Sequence, residues 1–370
     1  MPLKVLVIPD KFKGTLTTQA AAFAIARGWR AARPDDEIEL LPMSDGGDGF
    51  GEVVCELLGA KPQTLWSVDA ARRRCQARWW WEAKSKTAII ESAGIIGLAK
   101  LPPKKFHPFE LDTYGMAGVI GAAAAKGAKQ CLIGIGGSAT NDGGFGLAYA
   151  LGWRFQDRDG KPIETWTRLS ALSQIRPPER KRWFTKLIVA VDVHNPLLGA
   201  RGATRVYGPQ KGLKPAHVRR AEVCLRQLAR VVKRTLRRDF SKIPGAGAAG
   251  GLGFGLMAFL GAKPEAGFDL FMRLAKLKTQ LRSADLVITG EGTIDKSTLM
   301  GKGVGEIARR CRQLKVPCIG LAGVVNDSDL IKGRFTATHG LTEVTAVREA
   351  KARPEFWLER LTMRTACQWS

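Results

Sequence analysis

Four segments of this 370-residue chain place carboxylates, hydroxyls or lysines directly after an apolar run, three of them among glycines. The longest is Cys131-Leu-Ile-Gly-Ile-Gly-Gly-Ser-Ala-Thr-Asn-Asp-Gly-Gly144, where a strand runs into glycines, hydroxyls, an amide and a carboxylate. A turn of this make-up beside a helix N-terminus exposes backbone N–H groups, and those donors suit a phosphate. Gly136 and Gly137 permit close approach, and Ser138, Thr140 and Asn141 are the polar side chains of the candidate site. The segment is not a P-loop, which needs Lys before Ser or Thr, and it does not match G-x-G-x-x-G. Spacing alone leaves a tight structural turn equally open, because glycine-rich strand ends also serve packing.

The second segment, Pro42-Met-Ser-Asp-Gly-Gly-Asp-Gly49, puts Asp45 and Asp48 beyond the end of a short strand, where open α/β sheets bind ligands. Asp48 fits a capping role for the helix Gly51 to Leu58, which leaves Asp45 for chemistry. In the third, Ala284 to Lys296, Glu291 and Asp295 stand four residues apart with Gly290 and Gly292 around the first. Two such acids can hold Mg2+ through oxygen ligands, or simply form the polar edge of a turn. Gly301-Lys302-Gly303 follows and sets a cation beside a helix start. The fourth, Val189-Ala-Val-Asp-Val-His-Asn-Pro196, places Asp192 at a strand end, a position suited to a general base or metal ligand. His194, with no partner at metal-ligand spacing, reads as a loop residue. Gly208-Pro-Gln-Lys-Gly212 supplies Lys211, and Gly245 to Gly253 opens a helix with free N–H groups. Strand-end loops of this kind, with no G-x-S-x-G nucleophile motif, point to phosphoryl transfer by positioning and charge neutralisation. The acceptor is not legible from the residues.

The elements that must carry these loops alternate. Lys4 to Ile8 reads as a strand, Thr17 to Arg33 as a helix and Glu37 to Leu41 as a strand, an α/β beginning. The C-terminal third repeats the rhythm with strands at Ala284 to Thr289 and Val316 to Leu321. Between them the texture changes: Gln63 to Glu91 reads as consecutive strands, and long glycine-rich segments follow. This predicts two α/β domains, with residues 1–66 and 275–370 in one and residues 67–274 inserted as the other.

Apolar residues at 45% and charged residues at 25% are ordinary for a folded chain. The first apolar run is too short for a signal peptide or membrane span, and seven scattered cysteines suggest neither a disulfide framework nor a zinc site; a cytoplasmic protein is the expectation. The unusual figure is the net charge of +24, from 58 basic and 34 acidic residues. It raises nucleic-acid binding as a rival reading. Val218 to Arg238, the densest basic stretch, carries apolar residues at helical spacing, so its arginines and lysines are expected on a solvated outer face. The cluster from Arg176 to Lys186 reads as a loop rim and matches no DNA- or RNA-binding motif, which argues against a nucleic-acid partner.

Taken in order, Pro9-Asp10, Lys13-Gly14, Asp45-Gly46-Gly47, Gly134 to Gly144, Gly208 to Gly212, Gly245 to Gly253 and Ile288-Thr-Gly-Glu-Gly292 resemble the signature blocks of type I glycerate kinases. The resemblance implies transfer of the γ-phosphoryl group of ATP to D-glycerate, at the 2-hydroxyl in bacterial members, with Mg2+. It also implies two α/β domains around a cleft, a Rossmann-like domain formed by both ends of the chain and a second inserted between them. Within that frame Asp192 or Asp45 is the base. The nucleotide and phosphate contacts are the 134–144 loop and Gly290, Glu291 and Gly292; Lys13 or Lys211 is the charge partner of an anion, and Glu291 and Asp295 are the metal ligands. A monomer or homodimer is expected. The chain departs from the family pattern at Lys11, Asp48, His194 and Thr293, where Ser, Glu, Asp and Arg are usual.

Overall fold

The computed structural model describes residues 1–12, 14–44, 46–47, 49–180, 182–298, 303–326, 331 and 333–369. The chain folds as two compact units, one of residues Met1–Ser44 with Phe268–Ser370, the other of Asp45–Gly267. It begins with β1 (Lys4–Pro9), α1 (Thr18–Ala32) and β2 (Glu37–Leu40), then enters the second unit. There it forms α2 (Phe50–Leu58), β3 (Lys61–Val68), β4 (Arg74–Glu82), β5 (Thr87–Glu91), α3 (Ala93–Ile96), α4 (Met116–Ala125), β6 (Gln130–Gly134) and α5 (Phe145–Ala150). A small hairpin, β7 (Arg154–Gln156) and β8 (Gln174–Arg176), precedes β9 (Lys186–Ala190), α6 (Ala203–Tyr207), α7 (Pro215–Leu236), α8 (Ala248–Leu260) and β10 (Lys263–Glu265). The return to the first unit supplies α9 (Gly267–Leu274), α10 (Leu277–Ser283), β11 (Leu286–Ile294), α11 (Val304–Leu314), β12 (Cys318–Val325), β13 (Ala337–Gly340) and a last long helix, Pro354–Cys367.

The first unit is a fully parallel sheet in the order β13-β12-β11-β1-β2. Its central strands are buried over Val5–Pro9, Leu286–Gly290 and Cys318–Ala322, as strands covered on both faces must be. Thr17 starts α1 by accepting a hydrogen bond from Ala20 N at 3.1 Å. The helix buries Ala21, Ile25 and Trp29, and the last helix packs alongside it through Leu358 and Leu361. Successive connections step outward in opposite directions from β1 and β11, so the sheet reverses its order between those strands, the place where doubly wound sheets bind ligands.

The second unit holds a six-stranded sheet, β10-β9-β6-β5-β4-β3, parallel from β10 to β5 and antiparallel across β3, β4 and β5. The expected boundary at residue 66 needs correction to Ser44. β3 pairs with β4 from Lys61 opposite Trp81 to Val68 opposite Arg74, and α2 packs with Gly51 against Trp80. Residues 45–66 are therefore part of the inserted unit; the polar, edge-strand composition of β3 gave no hint of its partner. The basic helix α7 behaves as its periodicity requires: Ala221, Leu225, Leu228 and Val232 are buried, while Arg219, Arg226, Arg230 and Lys233 are exposed. Among the described residues, no helix is long and apolar enough to cross a membrane.

Candidate active site

Three parallel strands of the second unit, β5, β6 and β9, end side by side, with Ile90 opposite Ile133 and Ile133 opposite Val189. Beyond their carboxyl ends lies a cavity of about 820 Å3 lined by Glu91, Gly136, Gly137, Ser138, Asp192 and Lys211, among others. This is the position at which α/β sheets present ligand-binding loops.

The glycine-rich loop after β6 is held from two sides. The Gly46-Gly47 segment lies against it, with Gly136 N donating to Gly46 O at 3.4 Å; a Cβ on Gly136 would fall 2.5 Å from Gly47 Cα, so only glycine permits the approach. From the other side, Ala249, Gly250 and Gly251 all adopt positive φ at the start of α8, and Gly143 N donates to Gly250 O at 3.1 Å. Gly250 has φ +67°, and a Cβ there would sit 1.9 Å from Thr140 O. Gly250→Ala should therefore cost roughly 3 kcal/mol or more of unfolding free energy, combining backbone strain with a clash that cannot relax locally. A denaturant titration showing less than about 1 kcal/mol would contradict this packing of the loop.

Asp142 sets the far end of that loop. Its fully buried carboxylate accepts from Thr113 N (3.0 Å), Thr113 Oγ1 (2.7 Å), Gly144 N (3.2 Å) and Gly146 N (2.8 Å). Burial and the negative charge of Asp112 raise its pKa, against the lowering effect of those hydrogen bonds. This corrects one expectation. The first N–H groups of α5 are engaged by Asp142, so the helix start does not offer them to a phosphate. The turn Gly136–Ser138 is the part of the loop that faces the cavity. Thr140 and Asn141 are fully buried behind it: Thr140 Oγ1 meets Ser138 Oγ at 2.9 Å, and Asn141 Nδ2 donates to Thr204 Oγ1 at 3.1 Å.

Lys211 sits in a short 3-10 turn before α7, buried, with Nζ donating to Thr140 O at 2.6 Å. Burial pushes its pKa down to about 7, opposed by the charge of Asp142. A lysine so poised takes up a full charge when an anion enters beside it. Asp192 is half-buried, two residues past the end of β9. His194 is exposed on the same loop, as its lack of partners predicted. Tyr207, also at the cavity wall, donates to Asn195 Oδ1 at 2.7 Å.

Two residues that sequence reasoning missed matter here. Asp142 precedes two glycines and a helix, a capping signature that could have been read. Glu91 carried no such signal: it ends β5, yet its carboxylate accepts from Gly49 N and Gly51 N, each at 2.9 Å, and so caps α2. That is the role expected of Asp48. Asp45, Asp48, Lys13 and Lys302 lie outside the described residues.

Gly290, Glu291, Gly292 and Asp295 belong to the first unit. They were expected in a loop, but β11 continues through the first three and ends at Ile294, leaving Asp295 in the bend beyond it: Gly290 pairs with Leu321 and Glu291 with Ala322, because β12 runs alongside past Thr289. The backbone of Gly290, Glu291 and Gly292 is committed to the sheet, which leaves the Glu291 carboxylate for chemistry. Asp10, at the end of β1, donates its N–H to Gly290 O at 2.7 Å, placing it at the same strand ends. Glu291 accepts from Thr298 Oγ1 at 2.8 Å, and its pKa is raised to about 7 by burial and by Asp10 and Asp295, against that hydrogen bond. The Asp295 carboxylate accepts from Ser297 N at 2.7 Å and Ser297 Oγ at 2.5 Å, which hold its pKa low. Among the described residues no three His, Cys, Asp or Glu side chains gather as a metal cage. Mg2+ needs only one or two carboxylates when it arrives on phosphates, and a half-buried acid destabilised by its acidic neighbours is a fitting partner for it.

Known proteins resemble the chain over most of its length. The profile of the glycerate kinase family matches residues 5–370. A glycerate kinase of Halalkalibacterium halodurans is 38% identical, covering 86% of this chain and 85% of its own. Glycerate 2-kinase of Escherichia coli K12 is 37% identical, covering 88% and 86%. A crystal structure assigned to glycerate kinase 2 of Salmonella typhimurium LT2 superposes with a TM-score of 0.84 at 32% identity, covering 100% of this chain and 98% of that one.

Proposed function

The chain belongs to the glycerate kinase family, and from that premise we propose how it phosphorylates glycerate with ATP, at the 2-hydroxyl, giving 2-phosphoglycerate and ADP. The single observation that carries the reading is the cavity at the ends of β5, β6 and β9, which gathers a glycine turn, a carboxylate and a buried lysine. Asp192 orients the acceptor hydroxyl and takes its proton. The hydroxyl oxygen bonds to the γ-phosphorus, the bond from that phosphorus to the bridging oxygen breaks, and ADP leaves with the electron pair. Gly136, Gly137 and Ser138 cradle the transferring group with backbone and hydroxyl donors. Lys211, protonated once an anion lies beside it, neutralises the glycerate carboxylate. Within the first unit, taken by itself, Glu291 with Asp295 and Asp10 beside it are the acids that would hold a divalent cation; such an ion would supply charge neutralisation to phosphate oxygens. The placement of Glu91 as a helix cap and Asp142 as a loop clamp makes both positioning residues.

A coupled ADP assay with D-glycerate, ATP and Mg2+ should show turnover, and 31P NMR of the product identifies the position. Phosphate on the secondary carbon couples to one proton and appears as a doublet; on the primary carbon it appears as a triplet. A triplet would move the transfer to the 3-hydroxyl, and no turnover with glycerate beside turnover with another hydroxy acid would change the substrate.

A further inference from the structure

The sheet of the second unit has a second cavity, of about 890 Å3, at the other end of its strands, where β9 and β10 begin. α8 spans the distance: Ala248 and Ala249 line the first cavity, Ala258 to Gly261 the second. Its floor is apolar and nearly closed to water, built from Trp153, Phe184, Leu187 and Phe259, with Trp153 and Phe259 edge to face at 5.0 Å. Its rim is basic. Arg180, Arg182, Lys186 and Lys263 all line it, and among the described residues no carboxylate does; Glu179 is in the same loop but outside the lining. Two of the cations are held in place: Arg180 stacks over Trp183 at 4.2 Å, and Arg182 donates to Phe184 O at 3.1 Å and Thr185 O at 2.7 Å.

One structural explanation for these cations is that α7 and α8 both end nearby, at Leu236 and Leu260, and helix C-termini attract positive charge. Two such termini amount to roughly one negative charge. Four cations against about one negative charge leave an excess that the helices do not account for. An apolar pocket of this size with a few charged groups at its rim has the ordinary form of a small-molecule site.

We propose that this cavity binds a small organic anion with an aromatic or acyl body, the body on the Trp153–Phe259 floor and the anionic group among Arg180, Arg182, Lys186 and Lys263. The ligand is a carboxylate, sulfonate or phosphate rather than a macromolecule, because the pocket's volume fits one compact body. The site is separate from the catalytic cavity, with no lining residue in common, so glycerate bound there does not compete for it.

The test uses 1-anilinonaphthalene-8-sulfonate as the probe and its uncharged parent, N-phenyl-1-naphthylamine, as the control, on the full-length chain. The sulfonate should bind at one saturable site with enhanced fluorescence, more tightly than the uncharged control, and more weakly at high salt. The double variant Lys186→Glu with Lys263→Glu, at two exposed positions, should weaken it by about tenfold or more, since two attractive charges become repulsive. Saturating glycerate should leave the signal in place. Equal binding of the uncharged control, unchanged affinity in the double variant, or displacement by glycerate would each overturn the proposal. If circular dichroism shows the charge-reversed chain misfolded, Lys186→Gln with Lys263→Gln carries the same comparison, with a severalfold weakening expected.

Discussion

Asp192→Asn should lower the turnover number by about a hundredfold or more, the usual scale for losing a general base, while the KM for ATP and the melting curve stay near those of the unaltered chain. Asparagine keeps the size and most hydrogen bonds of the side chain and removes only the charge that accepts the proton. The melting curve is expected to hold because Asp192 lies half-buried in a loop at the cavity wall and contributes nothing to the apolar core. A steady-state assay with both substrates varied separates the effects: a fall in kcat and in kcat/KM together marks an interaction made in the transition state. Asp45→Asn is the paired measurement. Near-full turnover in Asp192→Asn with loss in Asp45→Asn would transfer the base to Asp45; activity in both would remove the acceptor from these strand ends.

Lys211→Met should raise the KM for glycerate by about 30-fold or more, because truncating one partner of a buried charge pair costs roughly 2–5 kcal/mol. The KM for ATP should change far less. The reverse pattern, with glycerate KM unmoved and ATP handling impaired, would place Lys211 on the phosphoryl group. The pH dependence gives an independent reading. With its pKa depressed to about 7, Lys211 is charged in the free enzyme below that pH and increasingly neutral above it. Glycerate affinity should accordingly be flat below pH 7 and weaken by up to tenfold per pH unit above it; the trend should be absent in Lys211→Met. Stability moves the other way. The unfolded chain keeps the proton up to about pH 10.5, so between about 7 and 10.5 it binds more protons than the folded chain, and this group's contribution rises with pH across that window. Below pH 7 both states carry the charge and the full cost of burying it is present.

Much of the framework was readable because it is local. The apolar runs of β1, β5, β6 and β9, the alanine-rich α1 with Thr17 before it, and the apolar stripe of α7 each announce themselves within a dozen or so residues. Loop chemistry at strand ends was equally local, which is why Gly136, Gly137, Ser138, Asp192 and Lys211 could be named before any of them was brought together. The extension of β11 through Glu291 was not readable, since glycines around an acid look like a loop until β12 is seen alongside. Nor was the division at Ser44, which depends on β3 finding β4.

By itself the sequence determined the family, the reaction class and the alternation of strands and helices, all of which reside in residue type and short-range order. Which polar groups face solvent and which serve the backbone was decided only by tertiary structure. Thr140 and Asn141 turn inward, Asp142 closes the start of α5, and Glu91 reaches Gly49 and Gly51 across some forty residues of chain. A buried polar group must find partners wherever the fold supplies them. Those partners come from distant segments, so the division of one glycine-rich motif into a face for ligands and a back for support follows from packing and not from spacing.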